Sequence, residues 1–127
     1  MLFDVLNAMS DTVGEMQFIL GLSMRFPNQY DNIIELTAAS REKLGSRLDS
    51  LLLGNEPDLY AGHGERDEYT IDMYITELNQ VFTDLGNSVY GNLTNITLIG
   101  GPTVCCGWDL SEVLSAGMED LAYKYYT

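Results

Sequence analysis

Residues 29–54, QYDNIIELTAASREKLGSRLDSLLLG, decide the fold. Read with a helical period, Tyr30, Ile33, Ile34, Thr37, Leu44, Leu48 and Leu51 fall on one face, and Gly54 follows as a left-handed helix cap. One helix of that length makes the chain a helical bundle. A break near Ala38 to Ser40 is the competing reading, because IIELT also suits an extended segment and Ser40 suits the cap of a shorter helix. Arg41 separates the two: the continuous helix turns it toward the apolar side, where it needs a carboxylate partner.

Upstream, residues 2–24 place Leu2, Leu6, Met9, Val13, Met16, Leu20 and Met24 at spacings of three and four, with Asp4, Asp11 and Glu15 opposite. Gly14 and Gly21 each weaken such a helix by about 1 kcal/mol relative to Ala, and Pro27 stops it. Phe18, Ile19 and Leu22 spread apolar character around its end, which implies burial on two sides or an exposed patch.

Downstream, residues 55–67 hold Pro57, Gly62 and Gly64 without an apolar period and read as a loop. A helix from about Glu68 to Leu85 then aligns Ile71, Tyr74, Ile75, Leu78, Val81, Phe82 and Leu85, with Gly86 ending it. LTNITLI at 93–99 is rich in β-branched residues, and TVCC returns after Gly100-Gly101-Pro102, so a small β-hairpin is expected near residues 93–106. Asp109 with Glu112 opens the last helix as a capping box, with Leu110, Val113, Leu114, Leu121 and Tyr125 inward and Glu112, Glu119, Tyr123 and Tyr126 outward. The expected fold is mainly α (α+β): a bundle of about four helices with the hairpin before the last, in a single acidic domain over residues 1–127.

The chain has 127 residues and a net charge of −13, from 19 acidic and 6 basic side chains. Apolar residues, 46% of the total, are spread along it and argue for a folded core over disorder. So few cations disfavour direct binding to nucleic acid and to anionic membranes. No apolar run approaches the ~20 residues of a membrane span, and the amino terminus lacks a basic signal region, so a cytoplasmic location is expected. Cys105 and Cys106 are adjacent, which fits neither a disulfide framework nor a zinc half-site. They are expected to pack as small apolar residues.

Residues 55–84 concentrate the charge, with eight carboxylates against Arg66 alone. His63, Glu65, Asp67, Glu68 and Asp72 suggest a hard-cation site, but the spacing of a calcium loop is missing, and no metal or cofactor is expected. A thiolate pair of His63 with Cys105 is disfavoured by the negative surroundings. Paired carboxylates for acid–base work, as in glycosidases, are at hand in any acidic protein, and no spacing forces two together. An enzyme is therefore not expected, and no catalytic residue is assigned.

The remaining constellation is a surface of acids beside large contact residues: Glu65, Asp67, Glu68, Tyr69, Asp72, Met73, Glu77 and Asp84, with Glu112 and Glu119 on the last helix. Interfaces favour Tyr and Met at the centre and charge at the rim. Carboxylates four apart on a helix lie ~6 Å apart along its axis and can stand in for phosphates. In type, though through no particular motif, the chain resembles the small acidic inhibitors, anti-CRISPR proteins among them, that phages and mobile elements direct against nucleic-acid-binding defence machinery. The resemblance implies a non-enzymatic binder that occupies a basic surface on a nucleic-acid-binding partner. The alternative is a phage or virion assembly protein making subunit contacts, a homodimer included, through Phe18, Leu22 and the terminal tyrosines. A small metal-dependent enzyme comes third.

Overall fold

The computed structural model describes residues 1–94, 99–100 and 104–121. Its elements run α1 (Leu2–Val13), β1 (Phe18–Leu22), α2 (Asp31–Leu44), β2 (Leu48–Leu53), α3 (Ile71–Gly86), β3 (Ile99–Gly100) and α4 (Leu110–Ser115). Short 3-10 turns occupy Gly45–Arg47, Pro57–Leu59 and Met118–Asp120. Helix and strand are mixed, as expected, but the arrangement is not a bundle. Its centre is a three-stranded sheet of order β1-β2-β3 with both pairings parallel. The chain crosses from β1 to β2 through α2 and from β2 to β3 through α3, so every strand points its carboxyl end the same way.

Two glycines account for most of the difference. The first expected helix ends at Val13 because Gly14 takes φ 83, its N–H returning to the Ser10 carbonyl at 3.0 Å. Phe18–Leu22 then becomes a strand paired with β2, Leu22 opposite Leu53. The second helix is continuous through Ala38–Ser40 and ends at Leu44, where Gly45 turns with φ 55. Ile33, Thr37, Ser40 and Leu44 form its buried face. Leu48–Leu53, expected as the last turns of that helix, is the central strand. Ser50 and Leu51 both have 0% exposure although neighbouring strand residues point to opposite faces, so β2 is covered on both sides.

α3 matches its period: Tyr74, Ile75, Leu78, Val81 and Leu85 are buried. It starts at Ile71 rather than Glu68 because the Thr70 side chain caps it, accepting from the Met73 N–H at 3.3 Å. The Tyr74 hydroxyl donates to the Leu53 carbonyl at 2.6 Å and fastens α3 to the end of β2. These residues join Leu22, Met24, Ile33, Leu51, Leu53, Val113 and Met118 in one cluster.

The hairpin is not what the described residues form. Ile99 and Gly100 pair in parallel with Leu51 and Leu52 of β2, because α3 returns the chain to the same end of the sheet, and Val104–Cys106 is not a strand. The rest of that expectation, at 95–98 and 101–103, lies outside the described residues, as do Tyr123, Tyr125 and Tyr126. Asp109 does cap α4, accepting from the Ser111 N–H at 2.8 Å. Among the described residues no helix is long and apolar enough to cross a membrane.

Candidate functional site

In parallel sheets the loops leaving the strands' carboxyl ends lie on one edge and can enclose a crevice there. Here β1 leaves at Leu22 into Ser23–Arg25, and β2 leaves at Leu53 into Gly54–Glu56. The Gly54 N–H donates to the Leu22 carbonyl at 2.9 Å, carrying the pairing one residue beyond β2. Gly54 has φ 84, and a β-carbon there would stand 3.1 Å from the Tyr60 hydroxyl, so the position requires glycine. Two residues on, Glu56 is held in the left-handed region at φ 48, ψ 55. A non-glycine residue there costs about 1–2 kcal/mol, and such residues collect at functional sites. That turn swings the chain into Pro57–Leu59 and leaves the Glu56 side chain in an open cleft.

The cleft has a volume of about 400 Å³, and its polar lining includes Arg25, Asn55, Glu56, Tyr60, His63 and Glu65. Among the described residues no side-chain hydrogen bond or ion pair engages Arg25, Glu56, His63 or Glu65. The Arg25 guanidinium rests over the Phe26 ring, 5.4 Å from its centroid. Burial pushes the Tyr60 phenol above its ordinary value, so it stays a neutral hydroxyl at the cleft wall.

Behind the cleft, one cation holds the loops in place. Arg66 donates from Nε to the Arg25 carbonyl at 2.8 Å and from Nη2 to the Met24 carbonyl at 2.6 Å. It also grips both Glu77 carboxylate oxygens on α3, at 2.8 and 2.9 Å, with side-chain exposures of 7% and 15% for Arg66 and Glu77. The Tyr69 hydroxyl donates to Glu77 Oε2 at 2.8 Å, and its ring lies under the guanidinium at 4.7 Å. Burial and then the Glu77 carboxylate push the Tyr69 phenol far above its ordinary value. Burial disfavours the Arg66 charge, but the Glu77 hydrogen bonds and charge outweigh it and raise its pKa.

On the other flank, the Asp58 carboxylate accepts the backbone N–H groups of Cys105 at 3.2 Å, Cys106 at 2.9 Å and Gly107 at 2.7 Å. A β-carbon at Gly107 would stand 2.9 Å from the Asp58 carbonyl oxygen, so glycine permits this close approach. Burial works to raise the Asp58 pKa, but the Gly107, Cys106 and Cys105 amides overcome it and hold the carboxyl below its ordinary value. The same turn leads into Trp108, which stacks on Tyr69 at 6.1 Å between ring centroids.

The residues expected to form one acidic partner surface are thus divided. Glu65 lines the cleft. Asp67, Glu68, Asp72 and Met73 are exposed around the start of α3, while Asp84, half-buried, accepts from Gln80 Nε2 at 2.8 Å. Tyr69 and Glu77 belong to the interior with Arg66, because the residues before Ile71 fold inward instead of continuing the helix. Glu112 and Glu119 are exposed on a separate segment, α4 and the 3-10 turn after it. His63, Glu65, Asp67, Glu68 and Asp72 do not converge as three or more metal ligands. Arg25, Asn55 and Glu56 carry no signal in a helical reading. The available signal is the strand-compatible run Leu51–Leu53, broken by Gly54 directly before the polar pair Asn55-Glu56. No protein-family model matches the chain, and no curated protein matches it.

Proposed function

We propose that the cleft at the strand ends binds a polyhydroxylated substrate and that Glu56 is the proton-transferring carboxylate of a glycoside hydrolase. The observation that carries this reading is Glu56 itself: a carboxylate on a left-handed residue at the end of the central parallel strand, unpaired among the described residues, in a cleft with Arg25, Asn55 and His63. A glycosidic oxygen leaves poorly until it is protonated, and a second carboxylate must attack the sugar or activate water. Glu56 takes the first role. Glu65, the other carboxylate lining the cleft, takes the second, and the Asn55 amide and Arg25 guanidinium supply donors for sugar hydroxyls.

Glu56→Gln keeps the shape and removes the acid–base group. In a screen of aryl glycosides it should lower turnover about 10²- to 10⁴-fold with little change in KM, most for substrates with poor leaving groups. Turnover at the wild-type rate would take Glu56 out of the chemistry.

A second reading, an acidic inhibitor of a basic nucleic-acid-binding protein, is favoured by one observation. Asp67, Glu68 and Asp72 are exposed together, and the neighbouring cation, Arg66, is committed to Glu77. It predicts a basic partner whose affinity falls steeply with salt and is lost when those three acids become amides. Salt-insensitive affinity would count against it.

A further inference from the structure

Cys105 and Cys106 are consecutive in the turn before α4, both exposed, with their Sγ atoms 2.8 Å apart. They do not pack as apolar residues. Two side chains on neighbouring residues normally diverge, and here the backbone that aims both sulfurs the same way is held from outside. Asp58 grips the amides of Cys105, Cys106 and Gly107 in succession, and Gly107 admits Asp58 at a distance no side chain would allow.

We propose that Cys105 and Cys106 form a reversible dithiol–disulfide site, closing to a disulfide between neighbours by exchange with a small-molecule disulfide. One cysteine thiolate attacks the small disulfide, forming a mixed disulfide and releasing one small thiolate. The second cysteine thiolate then attacks the cysteine sulfur of that mixed disulfide and releases the other. The two cysteine sulfurs lose two electrons, the small disulfide gains them, and the two protons end on the released thiols.

Adjacent α-carbons across a trans peptide lie about 3.8 Å apart, below the roughly 4.4–6.8 Å that an ordinary disulfide spans. The closed ring is therefore strained. With no residue between its ends it also adds no chain-entropy stabilisation. Strained, exposed disulfides are the easily reduced ones, so the pair is a switchable site and not a staple. Hydrogen bonding to Cys106 pushes the Cys105 thiol up to about 11, so Cys105 rests as the thiol and the share of attacking thiolate grows as pH rises. The Cys106 amide that Asp58 holds belongs to the peptide inside the ring, and Asp58 lies two residues beyond Glu56.

The test is intact mass of the whole folded chain after exposure to oxidised glutathione and acid quenching. The wild type should lose the mass of two hydrogens and keep no glutathione, and dithiothreitol should restore it. Cys105→Ser and Cys106→Ser should each instead carry one stable glutathione. A wild type that remains reduced, retains glutathione adducts or links into dimers overturns the proposal.

Discussion

At the amino ends of the strands lies a hollow of about 730 Å³, lined by Asp11, Glu15, Ser46 and Arg47 among others; at the carboxyl ends the cleft is about 400 Å³. The larger space is the quieter one. Most of its polar groups answer each other, Glu15 at φ 54 excepted: Arg47 pairs with Asp11 and bonds the Asn7 side chain at 2.7 Å, Ser10 donates to the Met16 carbonyl at 2.9 Å, and Gln17 donates to the Ser46 carbonyl at 3.2 Å. At the carboxyl end the satisfied groups sit behind the cleft, in the Arg66–Glu77–Tyr69 strap, while the side chains of Arg25, Glu56, His63 and Glu65 line it without hydrogen-bond or ion-pair partners among the described residues. Volume therefore says less about function than unspent polar chemistry on rigid support.

That contrast breaks first if the acids of the two ends prove equivalent. Glu56→Gln should cost about 10²- to 10⁴-fold in glycoside turnover, whereas Asp11→Asn should leave the rate unchanged. Equal losses would show that the carboxyl end is not special.

Next in size is the strap. Arg66→Met leaves Glu77 as a nearly buried, uncompensated charge and should destabilise by about 3–5 kcal/mol in denaturant unfolding. Arg47→Met, at the other end, removes an ion pair whose Asp11 partner is 66% exposed and should cost under about 1 kcal/mol. Comparable values would mean that the strap does not anchor the cleft.

Two glycines with nearly the same φ separate strain from crowding. Gly14→Ala meets open space and should cost about 1 kcal/mol, from its left-handed backbone alone. Gly54→Ala adds a contact with the Tyr60 hydroxyl and should cost about 2–3 kcal/mol by the same measurement.

The smallest effect is on pH dependence. Asp58 has a folded-state pKa below its unfolded value, because three backbone amides outweigh its burial. Its stabilising contribution is therefore fully present above the unfolded pKa of about 3.9 and is lost as pH falls toward the folded value. Thermal melts should show a shallower acid-side decline below about pH 4 for Asp58→Asn than for the wild type.

Much of this was legible locally. The apolar period of α3 picks out Tyr74, Ile75, Leu78, Val81 and Leu85, and all five are buried. Asp109 caps α4. Gly54 takes the left-handed conformation expected of it, although it ends a strand and not a helix. The strands were not legible, because a short strand covered on both faces reads as an apolar run, and Leu51–Leu53 satisfies a helical stripe equally well. Glu56 is hidden for the same reason: beyond a helix it is one acid among many, and only beyond a parallel strand does it line the cleft at the carboxyl ends.

The amino-acid sequence by itself determined the acidic character, the glycine breaks and the inward face of α3, because charge, backbone freedom and helical period are properties of residues and their near neighbours. Only the tertiary structure decided that Phe18–Leu22 and Leu48–Leu53 lie side by side, that Arg66 and Glu77 share a nearly buried ion pair, and that Arg25, Glu56 and His63 line one cleft. The physical reason is that parallel pairing joins residues about thirty positions apart through backbone hydrogen bonds, which carry no side-chain signature.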